Sequence, residues 1–140
     1  MTEFVYQTAA TATGGRGGKV ASEDGRLSLA LSLPRELGGD SGQGTNPEQL
    51  FAAGYAACFH SALSARARAR GLTNPDVTVH VATGLMRREP TGFRLGVTLT
   101  VEMPGVDPDQ ARELVAEADD ICPYSDALRG NAVVSVSLAG

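Results

Sequence analysis

The chain has 140 residues, 42% hydrophobic and 20% charged, a balance that suits one globular domain over residues 1–140 and leaves little room for a second. A formal net charge of -4 and a pI near 5.1 remove the electrostatic basis for broad attraction to nucleic acid or an anionic membrane, so neither is an expected partner. Two cysteines are too few for a disulfide scaffold, and two histidines without a CxxC or HExxH pattern do not make a zinc site, so no metal is expected.

At the amino terminus, "MTEFVYQTAATATGGRGG" carries an acid at Glu3 and lacks the apolar run of a signal peptide. Nothing along the chain approaches the roughly 18 apolar residues that span a bilayer. A cytoplasmic protein with reduced thiols is the expectation. Phe4 to Thr13 reads as an opening strand that ends at the turn "GGRGG", where glycine supplies positive φ. In "GRLSLALSLP" the residues Leu27, Leu29, Leu31 and Leu33 alternate with Ser28, Ala30 and Ser32, the clearest period-two strand in the chain. Pro34 ends it, and "ELGGDSGQG" is a loop by composition.

A long helix is expected after Asn46, an N-cap residue followed by Pro47 at the first helical position and by Glu48 in the positive end of the dipole. It runs through "EQLFAAGYAACFHSALSARARAR" towards Gly71, and its first part is apolar nearly all round, which predicts burial on every side. Arg66, Arg68 and Arg70 are spaced by two and scatter around the axis, so they read as solvation of the far end. "VTVHVATGLMRRE" and "GFRLGVTLTVEM" form a hairpin that turns at Pro90, Thr91 and Gly92. "DPDQARELVAEADD" is a second helix capped by Asp107, with Pro108 at its first position and Ala111, Leu114, Val115 and Ala118 facing inward. A helical turn from Pro123 and the strand "AVVSVSL" close the chain. Strands and helices in separate runs indicate an α+β fold with antiparallel sheets.

Cys58 sits mid-helix, and composition alone favours a buried, inert thiol there. Three features point to chemistry instead. Its helix neighbours Gly54, Ala56, Ala57 and Ala62 are small, which permits close approach. Cys122 precedes a proline at a helix start, where amide dipoles favour an anionic sulfur. Arg16 lies in the glycine turn, and a guanidinium is the cation sure to stay charged beside a thiolate. Each has a plain alternative: "GGRGG" as a turn only, Glu48 as a first-turn carboxylate, His60 and His80 as ordinary residues.

"GTNPEQLFAAGYAACF", "ICPYSDALRGN", "ATATGGRGG" and "SEDGRLSLALSLPRELGG" together resemble, in order and over most of the chain, the organic hydroperoxide resistance subgroup of the OsmC/Ohr family. That subgroup often carries a histidine just before the Ile-Cys pair, where this chain has Asp119 and Asp120. The resemblance implies antiparallel sheets wrapped around central helices in an intertwined homodimer, each site built partly from the other subunit. It further implies a thiol peroxidase acting on alkyl or fatty-acid hydroperoxides, with Cys58 peroxidatic, Cys122 resolving, and Arg16 and Glu48 activating the thiolate. No cofactor is implied beyond an external dithiol, of the kind a lipoylated protein carries. Leu50, Phe51, Tyr55 and Phe59 suit a greasy substrate and also suit plain core. A non-enzymatic redox sensor or binding module is the alternative, and a dimer with inert thiols a third.

Helix geometry adds one demand. Glu48 and Cys58 are ten positions apart, about 15 Å along a straight axis and about 80° around it, so a compact Cys-Arg-Glu cluster predicts a break or kink between Gly54 and Cys58.

Overall fold

In the computed structural model, which describes residues 3–140, the chain forms two compact units, Met1–Leu50 and Phe51–Gly140. The first holds an antiparallel sheet of β1 (Ala10–Thr13), β2 (Lys19–Ser22) and β3 (Ser28–Ala30). Both expected strands are therefore shorter than their sequence patterns. Phe4, Val5 and Tyr6 precede the ladder and are exposed, because pairing starts only at Ala9, whose carbonyl accepts from Glu23, and Ala10, opposite Ser22. Leu27 and Leu29 stay open at 39% and 38%, while Leu31 is 8% exposed, where the chain forms a parallel bridge to Thr45. Alternation here specified a face without supplying a cover for all of it.

Helix α1 (Pro47–Ala69) begins as its cap residues require. The Asn46 side chain accepts from the Gln49 amide at 2.8 Å, satisfying a donor that the first turn leaves free. At the far end the Gly71 amide donates to the Arg68 carbonyl and the Leu72 amide to the Ala67 carbonyl, each at 3.0 Å, with Gly71 at φ 82°. Between these caps the helix is unbroken, so the break predicted between Gly54 and Cys58 does not occur, and the compact Cys-Arg-Glu cluster within one chain that required it loses its basis. Gly54 costs about 1 kcal/mol relative to alanine, and the helix-forming Ala52, Ala53, Ala56 and Ala57 around it outweigh that. Nor is the helix enclosed on every side. Its buried residues are Tyr55, Phe59, Leu63 and Ala67, one stripe at i+4 spacing, whereas Ala53 and Ala57 are exposed and carry too little apolar surface to demand cover.

The second unit contains the predicted hairpin, β4 (Thr78–Arg87) and β5 (Phe93–Glu102), in full antiparallel register. One pairing departs from the expected antiparallel sheets: β6 (Val133–Leu138) lies parallel to β5 on its other edge. The chain reaches it through α2 (Pro108–Ile121) and α3 (Pro123–Leu128), the long crossover a parallel pair needs. Helix α2 is capped by Asp107, whose carboxylate accepts from the Gln110 amide at 3.0 Å, and it buries Ala111, Leu114, Val115 and Ala118. These residues, the α1 stripe, and Val97, Leu99 and Val101 of β5 make one apolar core that also encloses Cys122. Each large aliphatic side chain so enclosed contributes about 1.5–3 kcal/mol.

Arg66 and Arg70 are not merely solvated. They stand four apart on α1 and face Glu113 and Glu117, four apart on α2: Arg66 Nε donates to Glu117 at 2.8 Å, Arg70 donates to Glu113 at 2.8 Å, and Arg70 also pairs with Glu117. These bonds to Arg66 and Arg70 hold the Glu117 carboxyl below its ordinary range. A carboxylate shifted this way stabilises the fold above its unfolded pKa, and the gain disappears as pH falls through the lowered value. Glu117→Gln is therefore expected to lower Tm at neutral pH, with the gap to wild type closing in thermal melts taken down to about pH 3.

Candidate active site

The five residues "GGRGG" hold Arg16 by backbone geometry. Gly14 adopts φ 79°, and a Cβ on Gly18 would fall 1.8 Å from the Thr13 carbonyl oxygen, so no side chain fits there. Leu31 then fixes this turn against the start of α1. Its amide donates to the Gly18 carbonyl at 2.8 Å, and on the other edge Ser32 and Ala30 bracket Thr45 with bonds of 2.8 and 2.9 Å. Three residues beyond Thr45 stands Glu48. The result is a two-point ion pair, Arg16 Nη1 to Glu48 Oε1 at 2.7 Å and Nη2 to Oε2 at 3.1 Å, the fork geometry that distinguishes arginine from lysine. Their side chains are 37% and 19% exposed, so the pair is only part-buried. The Glu48 bond pushes the Arg16 pKa up from an already high value.

The second unit places the two cysteines together. Cys122 ends α2 and caps α3; its amide donates to the Ala118 carbonyl at 2.9 Å and its carbonyl accepts from Asp126 at 3.0 Å. Its thiol is wholly enclosed and donates to Cys58 Sγ at 3.5 Å. Both are free thiols, since a covalent bridge requires about 2.05 Å. Burial pushes the Cys58 pKa above the ordinary thiol range, and the neighbouring Cys122 adds to the rise. The Tyr124 backbone amide, bonded to the Cys58 sulfur, opposes it. A thiolate at Cys58 therefore has one backbone amide in its favour and burial against it.

Around Cys58 the rings of Phe51, Tyr55 and Tyr124 pack at centroid distances of 5.9, 6.3 and 5.8 Å. Gly54 makes room for this, because a Cβ there would stand 3.1 Å from Tyr124 Oη. The small neighbours of Cys58 thus admit a side chain of the same chain. Of the four residues expected to face a greasy substrate, Leu50 and Phe51 are half-buried, whereas Tyr55 and Phe59 are 0% exposed and belong to the core. Aromatic character had marked them, but the i+4 stripe determines their direction. Tyr124 and Ser125 were missed; Tyr55 Oη and Ser125 Oγ share a buried hydrogen bond of 2.7 Å. Only the motif "CPYS" pointed there, and its tyrosine and serine carry no local signature of their own. His60 and His80 bond at the surface, to the Val77 carbonyl at 3.0 Å and to Glu102 at 2.9 Å.

Residues 38–137 match the family described as OsmC-like protein. Beyond this class, the chain is 48% identical to the organic hydroperoxide resistance protein of Xanthomonas axonopodis pv. citri, covering 98% of this chain and 96% of that one. It is 43% identical to the organic hydroperoxide resistance protein OhrB of Bacillus subtilis, covering 96% and 98%. A crystal structure of an organic hydroperoxide resistance protein from Legionella pneumophila superposes with a TM-score of 0.94 at 46% identity, covering 99% of this chain and all of that one (100%). The chain belongs to the OsmC/Ohr family, in its organic hydroperoxide resistance subgroup.

Two thiols at 3.5 Å need little movement to join. Mild oxidation of the reduced protein is expected to produce a Cys58–Cys122 bond within one chain, seen by non-reducing peptide mapping. Linkage found only between chains would contradict this geometry.

Proposed function

We propose that the protein is a thiol peroxidase that reduces organic hydroperoxides, alkyl or fatty-acid, to alcohols. The observation that carries this reading is the pair of unbridged sulfurs at 3.5 Å, one half-buried on α1 and one sealed in the core. The names of its relatives support the same substrate class. The Cys58 thiolate attacks the distal peroxide oxygen; the O–O bond breaks, the alkoxide takes a proton and leaves as alcohol, and Cys58 becomes a sulfenic acid. Cys122 then displaces hydroxide from that sulfur, which leaves as water with the Cys122 proton, and an S–S bond forms. An external dithiol, of the lipoyl type a partner protein carries, reopens the bond by exchange. In this reading the protein works in the cytoplasm as a homodimer.

Because burial raises the Cys58 pKa, the reading also needs a cation at the sulfur. The Arg16 guanidinium, oriented by Glu48, is the group assigned to that task; since the unbroken α1 does not bring Glu48 to Cys58 of the same chain, the pair is taken from the second subunit. Phe51 and Leu50 are the half-buried apolar residues assigned to the organic group.

Steady consumption of cumene hydroperoxide with dihydrolipoamide, abolished by Cys58→Ser, is the expected result. Stoichiometric oxidation without turnover would favour a redox sensor instead. Arg16→Gln is expected to slow peroxide reduction at least about tenfold and to move the midpoint of Cys58 alkylation to higher pH, since losing a neighbouring cation disfavours the thiolate. An unchanged midpoint would remove Arg16 from the mechanism.

A further inference from the structure

Helix α3 is six residues long and carries Cys122 at its cap and the Tyr124 amide that meets Cys58. A helix of that length does not hold itself in place, so its position depends on what ties it down. Two side-chain ties are present. At its end Arg129 donates to the Asp119 carbonyl at 2.9 Å and pairs with the Asp119 and Asp126 carboxylates at 3.6 and 3.3 Å, in partly exposed positions. The other is the Tyr55–Ser125 hydrogen bond, between side chains whose residues are 0% and 4% exposed.

The placement of that second tie is specific. Tyr55 lies three residues before Cys58 on α1, and Ser125 three residues after Cys122 on α3. The hydrogen bond and the S–H···S contact thus join the same two helices one turn apart, at 2.7 and 3.5 Å. Apart from the Tyr55 hydroxyl and the Cys122 thiol, Ser125 carries the one polar side chain sealed in the core among the described residues. Burying a hydroxyl pair costs desolvation that an apolar pair would avoid, so its geometry has to return something that packing alone does not.

We infer that Tyr55 and Ser125 are positioning residues for the second half-reaction: their hydrogen bond holds Cys122 within reach of the Cys58 sulfenic acid. This rests on the peroxidase reading above. In the step concerned, the Cys58 S–O bond breaks and the S–S bond forms; the Cys122 sulfur is oxidised, the sulfenic sulfur is reduced to the disulfide level, and water carries off the hydroxyl and the Cys122 proton. Neither hydroxyl touches the reacting atoms. Their effect is on how often the two sulfurs meet, and therefore on whether Cys58 closes to a disulfide or waits and is over-oxidised to the sulfinic acid by a second peroxide.

A polar cavity of about 180 Å³ is lined by Tyr55, Asp119, Ser125 and Arg129, with room for water to satisfy whichever hydroxyl a substitution leaves alone. Single variants therefore keep a solvated partner and a route to folding. Reduced protein is mixed with cumene hydroperoxide and quenched over time; sulfenic acid is trapped with dimedone, and disulfide and sulfinic acid are measured by mass spectrometry. Ser125→Ala is expected to form sulfenic acid at the wild-type rate but to close the disulfide about three- to tenfold more slowly, the range one net hydrogen bond spans. The sulfinic fraction rises correspondingly, and the disulfide becomes easier to reduce in a glutathione titration.

Tyr55→Phe should slow closure equally, and the double variant no more than either single one, because a shared bond is lost once. Closure at the wild-type rate in both single variants overturns the inference while leaving the peroxidase reading intact. Additive slowing in the double variant also overturns it, as each residue would then act separately. A wild-type protein that forms no sulfenic acid overturns the peroxidase reading and this inference together.

Discussion

The apolar stripe of α1 determines where the second unit's chemistry can stand. Tyr55, Phe59, Leu63 and Ala67 repeat every four residues and sink into a core shared with β5 and α2. A helix pinned along one line has its rotation fixed as well, so Cys58, one position before Phe59, is carried to the margin of that core. There it meets Cys122, which the last turn of α2 delivers to the inside. Packing thus brings together two sulfurs that lie 64 residues apart in sequence. The burial that achieves this also works against ionising Cys58, so the same contacts that create proximity create the need for compensating charge.

Part of that charge problem is met by backbone. Near the sulfur the second unit supplies a backbone amide from Tyr124, a fixed dipole that needs no protonation state. The first unit holds a guanidinium already saturated on one side by a carboxylate. Glu48 leaves Arg16 charged while restricting its orientation, an arrangement suited to meeting an anion from one direction. Coupling such a cation to a peroxidatic sulfur is the central feature of the function proposed here.

Local chemistry was legible where the signal and its partner lie within one turn. Asn46 with Pro47, Asp107 with Pro108, and Gly71 each act on neighbours within five residues, and all terminate helices as their side chains and φ angles predict. The β4–β5 hairpin was readable for the same reason. Non-local pairing was not. Nothing in "AVVSVSL" says that β6 runs parallel to β5, and nothing in "GRLSLALSLP" says that the ladder stops at Ala30. The demand that Glu48 and Cys58 share one arginine suggested a break after Gly54, yet propensity is summed over a helix and the alanines kept it whole. Arg66 and Arg70 were read by their spacing of two from Arg68, when the matching spacing of four in Glu113 and Glu117 was the informative one. Tyr55 and Ser125 are separated by 70 residues, so their pairing exists only in the fold.

The Arg16–Glu48 pair depends on a strand residue that touches neither side chain. Leu31 offers its amide to the Gly18 carbonyl and bridges Thr45 on its other edge, so both ends of the ion pair are suspended from one stretch of main chain. The instruction that joins them is written in hydrogen-bond direction and not in side-chain identity. What position 31 must supply to the pair is an N–H and not a particular side chain, so proline is barred there: without that donor the glycine turn loses its mooring and the guanidinium its bearing.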